Sequence, residues 1–194
     1  MPGVRRVWLV RHGESTWNER GLVQGQQTLP VLTAAGLRQA SRCAASLLGE
    51  PVRAVYSSDL RRALETAAPI ARALGLDVRH EPRLRERALG AAEGTPSALL
   101  APERSGIAAG RVIDADAAPD GGETVRQLYE RATTCASELL SAHEGDEIVL
   151  VCHGGVIRVL LAWLDAVPPC DMAWPEIANA VPIVRSVATP VPTG

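Results

Sequence analysis

Val7-Trp8-Leu9-Val10-Arg11-His12-Gly13-Glu14 decides the architecture. Four consecutive apolar residues read as a short strand covered on both faces, and the run breaks at once into a polar Arg-His-Gly loop. Val149-Leu150-Val151-Cys152-His153-Gly154-Gly155 repeats that arrangement near the other end of the chain. A histidine directly after a buried strand occupies a rigid position, and Gly13 removes a side chain that would block a ligand beside the imidazole. A lone histidine is usually structural. Two of them, each at a strand end and each followed by glycine, are not easily explained as core filler.

Working outward, helices alternate with such strands. Thr33 to Gly49 reads as a helix, capped by Thr33 and stopped by Gly49 and Pro51, with Leu37, Ala40, Ala44 and Leu47-Leu48 as its apolar stripe. Ala54-Val55-Tyr56 is a second strand, ended by Ser57-Ser58-Asp59, from which Asp59 or Ser58 caps a helix over Leu60 to Leu74. Asp77 to His80 suggests a third strand, and a long helix follows from Glu123 to His143. Glu147 to Cys152 is a strand, Val156 to Leu164 a helix, and Ile183 to Val187 a last strand. Residues 82–121 hold Gly, Pro and Ala with little periodicity and read as a loop-rich insertion or cap within a single domain spanning residues 1–194.

The class is α/β: a three-layer α/β/α sandwich on a mostly parallel sheet, with one antiparallel edge strand. In such sheets ligands bind beyond the carboxyl ends of the strands. Arg11-His12-Gly13-Glu14, Ser57-Ser58-Asp59 and His153-Gly154-Gly155 all fall at those ends, so the topology gathers them at one edge.

The chain has 194 residues, a formal net charge of −2, no Phe and no Lys. All 20 basic residues are therefore arginine. Schiff-base enzymes, P-loop NTPases and protein kinases are excluded, because each needs a lysine. The fixed cations are guanidinium groups, suited to bidentate contact with phosphate or carboxylate. The slightly acidic balance and few aromatics argue against nucleic acid as a partner, and no apolar run approaches the ~20 residues that span a bilayer. Cys43, Cys135, Cys152 and Cys170 form no C-x-x-C pair and read as reduced, buried thiols. With a first charged segment too near the N-terminus for a signal sequence, the expected location is cytoplasmic.

Further segments carry chemistry. Ser57-Ser58-Asp59-Leu60-Arg61-Arg62-Ala63 is a strand-to-helix junction with two arginines in the first turn, either a solvated surface pair or an anion site. Leu84-Arg85-Glu86-Arg87 sets a carboxylate among arginines. Together with Arg11-His12-Gly13-Glu14-Ser15-Thr16-Trp17-Asn18, Gln24-Gly25, Thr66-Ala67, Gly90, Glu93-Gly94, Asp120-Gly121-Gly122-Glu123-Thr124 and His153-Gly154-Gly155, they form an ordered set. That set resembles the histidine phosphatase superfamily, which includes the cofactor-dependent phosphoglycerate mutases, from Val7 to about Val187.

The resemblance implies a phosphoglycerate mutase-like fold and an enzyme with His12 as nucleophile, becoming a phosphohistidine. It implies Arg11, Arg62 and His153 as holders of the three phosphoryl oxygens, and Glu86 as the proton donor to the leaving oxygen and then base to water. Asn18 adds an amide hydrogen bond to the phosphate, and Gln24, Gly25 and Gly154 complete its surroundings. Glu14 and Ser15 stand behind, Ser15 within reach of substrate, and Arg61 is a surface or supporting residue. No metal and no cofactor is implied. His80 and His143 fall outside the motifs, Cys152 is core and Trp17 packing.

The family contains hydrolases and mutases. In the mutases a long Arg- and Lys-rich insertion follows the glutamate segment; here residues 95–120 offer only Arg104 and Arg111. Hydrolysis of a small phosphorylated metabolite is therefore expected, with 2,3-bisphosphoglycerate-dependent phosphoglycerate mutase as the alternative and a silent phospho-ligand binding module behind it. Glu14-Ser15 with Trp17-Asn18 is the mutase-like form of the first motif. Ala91-Ala92 stand where the family often has an aromatic before Glu-Gly, so no one member's substrate transfers directly. A homodimer is left open.

Overall fold

In the computed structural model, residues 4–188 are described. The strands are β1 (Val4–Arg11), β2 (Val52–Ser57), β3 (Val78–His80), β4 (Ile107–Ala108), β5 (Arg111–Val112), β6 (Glu147–Cys152) and β7 (Ile183–Ala188). The helices are α1 (Thr16–Glu19), α2 (Ala34–Ser46), α3 (Arg61–Leu74), α4 (Pro102–Ser105), α5 (Val125–Ala142) and α6 (Gly154–Leu164). The central sheet runs β3-β2-β6-β1-β7. Its first four strands are parallel, and β7 lies antiparallel beside β1 at the edge.

Alternation along the strands divides the core in two. Val7, Leu9, Ile148, Leu150 and Cys152 face α5 and α6, whereas Trp8, Val10, Val149 and Val151 face α2 and α3. With both faces covered, every residue of Ile148–Cys152 is buried, which explains the unbroken apolar run in the sequence. Each large aliphatic side chain so buried contributes roughly 1.5–3 kcal/mol.

The helix ends follow local chemistry, with two corrections. Thr33 caps α2 through Gly36 N, and Thr124 and Gln127 form a reciprocal capping box on α5. α3 has no side-chain cap: its N-cap residue is Leu60, and the Asp59 carboxylate is drawn instead to Arg85, at 2.5 and 2.6 Å. Ser58 Oγ accepts from Leu60 N at 3.3 Å, outside the helix. α6 begins at Gly154 rather than Val156, with His153 as its N-cap residue, so the His-Gly-Gly turn is already the start of the helix.

Residues 82–121 contain short 3-10 turns, α4 and the β4–β5 hairpin. In place of an apolar stripe, this region is organised by Arg87, only 3 % exposed. Its guanidinium donates to the carbonyls of Ser105, Ala117 and Glu123 at 2.6–2.8 Å. Arg87→Met is expected to leave those carbonyls unsatisfied and cost about 3–5 kcal/mol, read as a fall in the denaturant midpoint and faster proteolysis within 95–120. An unchanged midpoint would contradict this role. No helix among the described residues is long and apolar enough to cross a membrane.

Candidate active site

Parallel register brings the three polar segments to one edge of the sheet. Arg11 pairs with Cys152 and Ser57 with Val151, so β1, β2 and β6 end side by side. His12 N donates to Cys152 O at 3.0 Å, and Ser58 N donates to Val151 O at 2.9 Å.

His12 is fixed from several sides. Asn179 Nδ2 donates to its carbonyl at 2.8 Å, and its own Nδ1 lies 2.7 Å from Gly13 O. A carbonyl only accepts, so the proton sits on Nδ1 and Nε2 keeps its lone pair. Thr66 Oγ1 accepts from Gly13 N at 2.9 Å. The structure adds a second need for glycine at residue 13. A side chain there would come within 2.6 Å of Gly36 O, so the close approach of α2 by itself requires glycine.

His153 is fully buried, with its ring 5.2 Å from that of His12. Its Nε2 lies 2.9 Å from Ser58 Oγ, and its Nδ1 has no hydrogen-bond partner. Burial holds both imidazoles well below the ordinary histidine range, and the charges of Arg62 and Arg11 push in the same direction. Both rings are therefore neutral at physiological pH.

Neutral carbonyls hold the two arginines. Arg62, in the first turn of α3, donates to Gly25 O and Gln27 O, each at 2.8 Å. Arg11 Nη1 donates to Ile177 O at 2.6 Å. Burial lowers Arg62 to about 10 and also lowers Arg11, leaving Arg62 charged at neutral pH. Among the described residues, the buried side-chain nitrogens without a partner are Arg5 Nε, Arg11 Nε, Arg62 Nε and His153 Nδ1. Three of the four surround His12. Buried donors are rarely left unpaired, so the cluster suits a group rich in acceptor oxygens.

Glu86 enters from the loop just past the 3-10 turn Pro82–Leu84 that follows β3. Arg87 N donates to its Oε1 at 2.8 Å, and Gly155 N, in the first turn of α6, to its Oε2 at 3.0 Å. Arg131 of α5 donates to the carbonyls of Arg83, Arg85 and Glu86 and so holds the backbone that carries it. Glu86, Arg11, His12, Arg62, Gln24 and Gly25 all line one cavity of about 230 Å³.

The other residues singled out in the sequence stand outside the cavity lining. Ser15 and Asn18 form a capping box on α1, with Ser15 Oγ also 2.8 Å from Gln24 Oε1, and neither lines the cavity. Glu14 accepts from Thr33 Oγ1 at 2.6 Å, and Arg61 makes an exposed ion pair with Glu65. Trp17 packs beside Gly94. His143 is hydrogen-bonded to Tyr56, and neither it nor His80 lines the cavity. Cys43, Cys135 and Cys152 are buried free thiols, with burial pushing Cys43 and Cys135 up to about 12. The expectation that Cys170 is buried is corrected: it is exposed in a turn after α6. Arg104 pairs with Asp120, and neither Arg104 nor Arg111 reaches the cavity.

Several cavity residues had no sequence signal. Leu100 and Ile107 come from the 82–121 region, and Arg158 and Trp174 from α6 and the segment beyond it. That segment is joined to the hairpin: Val112 N donates to Met172 O, and Trp174 N to Gly110 O.

Known proteins match the chain over most of its length. The family model described as "Histidine phosphatase superfamily (branch 1)" matches residues 7–185. "Phosphoglycerate mutase-like protein 4" of Arabidopsis thaliana is 42 % identical over 79 % of this chain and 68 % of its own. The "Metal-independent phosphoserine phosphatase" of the same plant is 39 % identical over 81 % of this chain and 67 % of its own. A mycobacterial glucosyl-3-phosphoglycerate phosphatase, solved with VO3, superposes with a TM-score of 0.79 at 32 % identity, covering 93 % of this chain and 90 % of that one.

Proposed function

This chain belongs to branch 1 of the histidine phosphatase superfamily, and from that premise we propose that it is a metal-independent phosphomonoesterase acting on a small phosphorylated metabolite through a phosphohistidine at His12. The observation that carries the reading is the set of unpaired buried nitrogens of Arg11, Arg62 and His153 around the free Nε2 of His12.

The lone pair on His12 Nε2 attacks phosphorus, and the ester P–O bond breaks. The leaving oxygen takes a proton from the Glu86 carboxyl. Glu86 then removes a proton from water, whose oxygen attacks the phosphohistidine. The P–N bond breaks, inorganic phosphate leaves, and the lone pair returns to Nε2. Arg11 and Arg62 stabilise the equatorial oxygens throughout, a charge role that a metal ion fills in other phosphoryl-transfer enzymes. Ser58 fixes the third donor. A neutral His153 that accepts the Ser58 hydroxyl proton at Nε2 carries its own proton on Nδ1, toward the phosphoryl group. Ser15, Asn18 and Gly154 support the loop ends in this scheme.

Hydrolysis is favoured over mutase chemistry because the cations of residues 95–120 stand outside the cavity. A mutase must retain its phosphoenzyme against water, which calls for further contacts to the departing intermediate. Unpaired buried thiols fit a reducing compartment, and a cytoplasmic location belongs to the same reading. The expected result is hydrolysis of p-nitrophenyl phosphate undiminished by EDTA. Loss of activity in EDTA, or bisphosphate-stimulated exchange of 3- and 2-phosphoglycerate faster than hydrolysis, would overturn the proposal.

A further inference from the structure

Arg158 is a cation in the cavity that the phosphoryl chemistry above does not use. It sits on α6 one turn after Gly154, so its side chain folds back over that residue toward the catalytic edge. Nη1 lies 2.8 Å from the position a Cβ would take at Gly154, and Arg11 Nε lies 3.8 Å from the same point. The two guanidinium groups are thus neighbours, and the repulsion from Arg11 joins burial in lowering Arg158.

The group is held in place by uncharged contacts. Its Nε donates to Pro175 O at 2.6 Å, and its plane lies over the Trp174 ring at 4.9 Å. Glu86 and Glu176 act on it only through space, and it has no ion pair among the described residues. A carbonyl on one edge and an indole on one face leave the Nη1/Nη2 fork as its free recognition surface. Such a fork matches a carboxylate in two parallel hydrogen bonds.

We infer that Arg158 determines specificity by binding a second anionic group of the substrate, a carboxylate on the alcohol part of the ester. This rests on the phosphatase reading of the same site and adds the chemical class of the leaving group. The alcohol is a small hydroxy acid, held between the Arg158 fork and the apolar wall of Leu100, Ile107 and Trp174.

The test compares Arg158→Gln and Arg158→Lys with the parent on three substrates: a phosphorylated hydroxy acid such as 3-phosphoglycerate, p-nitrophenyl phosphate, and a sugar monophosphate lacking a carboxylate. Arg158→Gln is expected to raise KM for the phosphorylated acid at least tenfold with kcat nearly unchanged, and to leave the other two substrates within about twofold. Arg158→Lys recovers part of the loss, because charge returns without the fork. An equal loss on all three substrates would assign Arg158 to the phosphoryl clamp, and no change on any would make it structural; either outcome overturns the inference. A parent protein inactive on p-nitrophenyl phosphate sinks the phosphatase reading instead, and a thermal scan of both variants separates misfolding from specificity.

Discussion

His12→Ala is expected to lower kcat/KM for p-nitrophenyl phosphate by at least about 10⁴-fold, because the proposed mechanism transfers phosphorus to Nε2 of this residue. The size follows from the geometry. Nδ1 is committed to Gly13 O, the ring is neutral, and Nε2 is the free lone pair among the clamp nitrogens. Rapid quenching of the parent with a ³²P-labelled substrate is expected to trap an acid-labile, base-stable phosphoenzyme, and the variant none. Arg11 and Arg62 remain in His12→Ala, so weak phosphate binding persists while turnover stops. Turnover at the parent rate in this variant would refute covalent catalysis at residue 12.

Acid is expected to unfold the protein early. In the fold, His12 and His153 hold their protons well below the ordinary 6.5, chiefly through burial and then through Arg62 and other nearby charges. An unfolded chain exposes both imidazoles and protonates them as pH falls through 6.5. The native state therefore binds fewer protons, and its stability is fully present above that pH and lost below it. Each histidine contributes a slope of up to about 1.4 kcal/mol per pH unit, which continues until its folded-state value is reached. Most carboxylates titrate lower, so the window from pH 6.5 to 5 isolates the pair. Chemical denaturation across it is expected to show a slope near two protons, and His12→Asn a slope near one. A flat profile would mean that the imidazoles are not held neutral. Inorganic phosphate is expected to oppose the acid loss by binding only the folded clamp.

The sheet edge that carries the candidate site is legible because its signals are local. A buried strand ending in His-Gly is written in a few adjacent residues, and parallel topology carries both copies to one place. Arg62 was legible for the same reason, as part of a strand-to-helix junction. Arg158 was not. On sequence it is one polar residue in an apolar helix, and its role depends on where Trp174 and Pro175 come to rest, in a stretch without periodicity. Arg87 was hidden likewise, since its acceptors are backbone carbonyls far along the chain, which leave no mark on residue identity. Asp59 reads as a helix cap on propensity, but a bidentate arginine outcompetes a backbone amide for its carboxylate. Gly13 reads on sequence as room beside the imidazole, whereas the approach of Gly36 is a tertiary fact that leaves no local mark.

The way the cleft arginines are fastened has a consequence for substrate capture. Arg11, Arg62, Arg87 and Arg158 are all anchored on uncharged peptide oxygens, so their orientation does not depend on ion pairs that salt screens or acid breaks. The attraction they exert on an approaching anion does depend on ionic strength. Geometry and long-range pull are thus separated in this protein. Saline conditions slow the arrival of substrate, while the frame that receives it stays in the shape that chemistry requires.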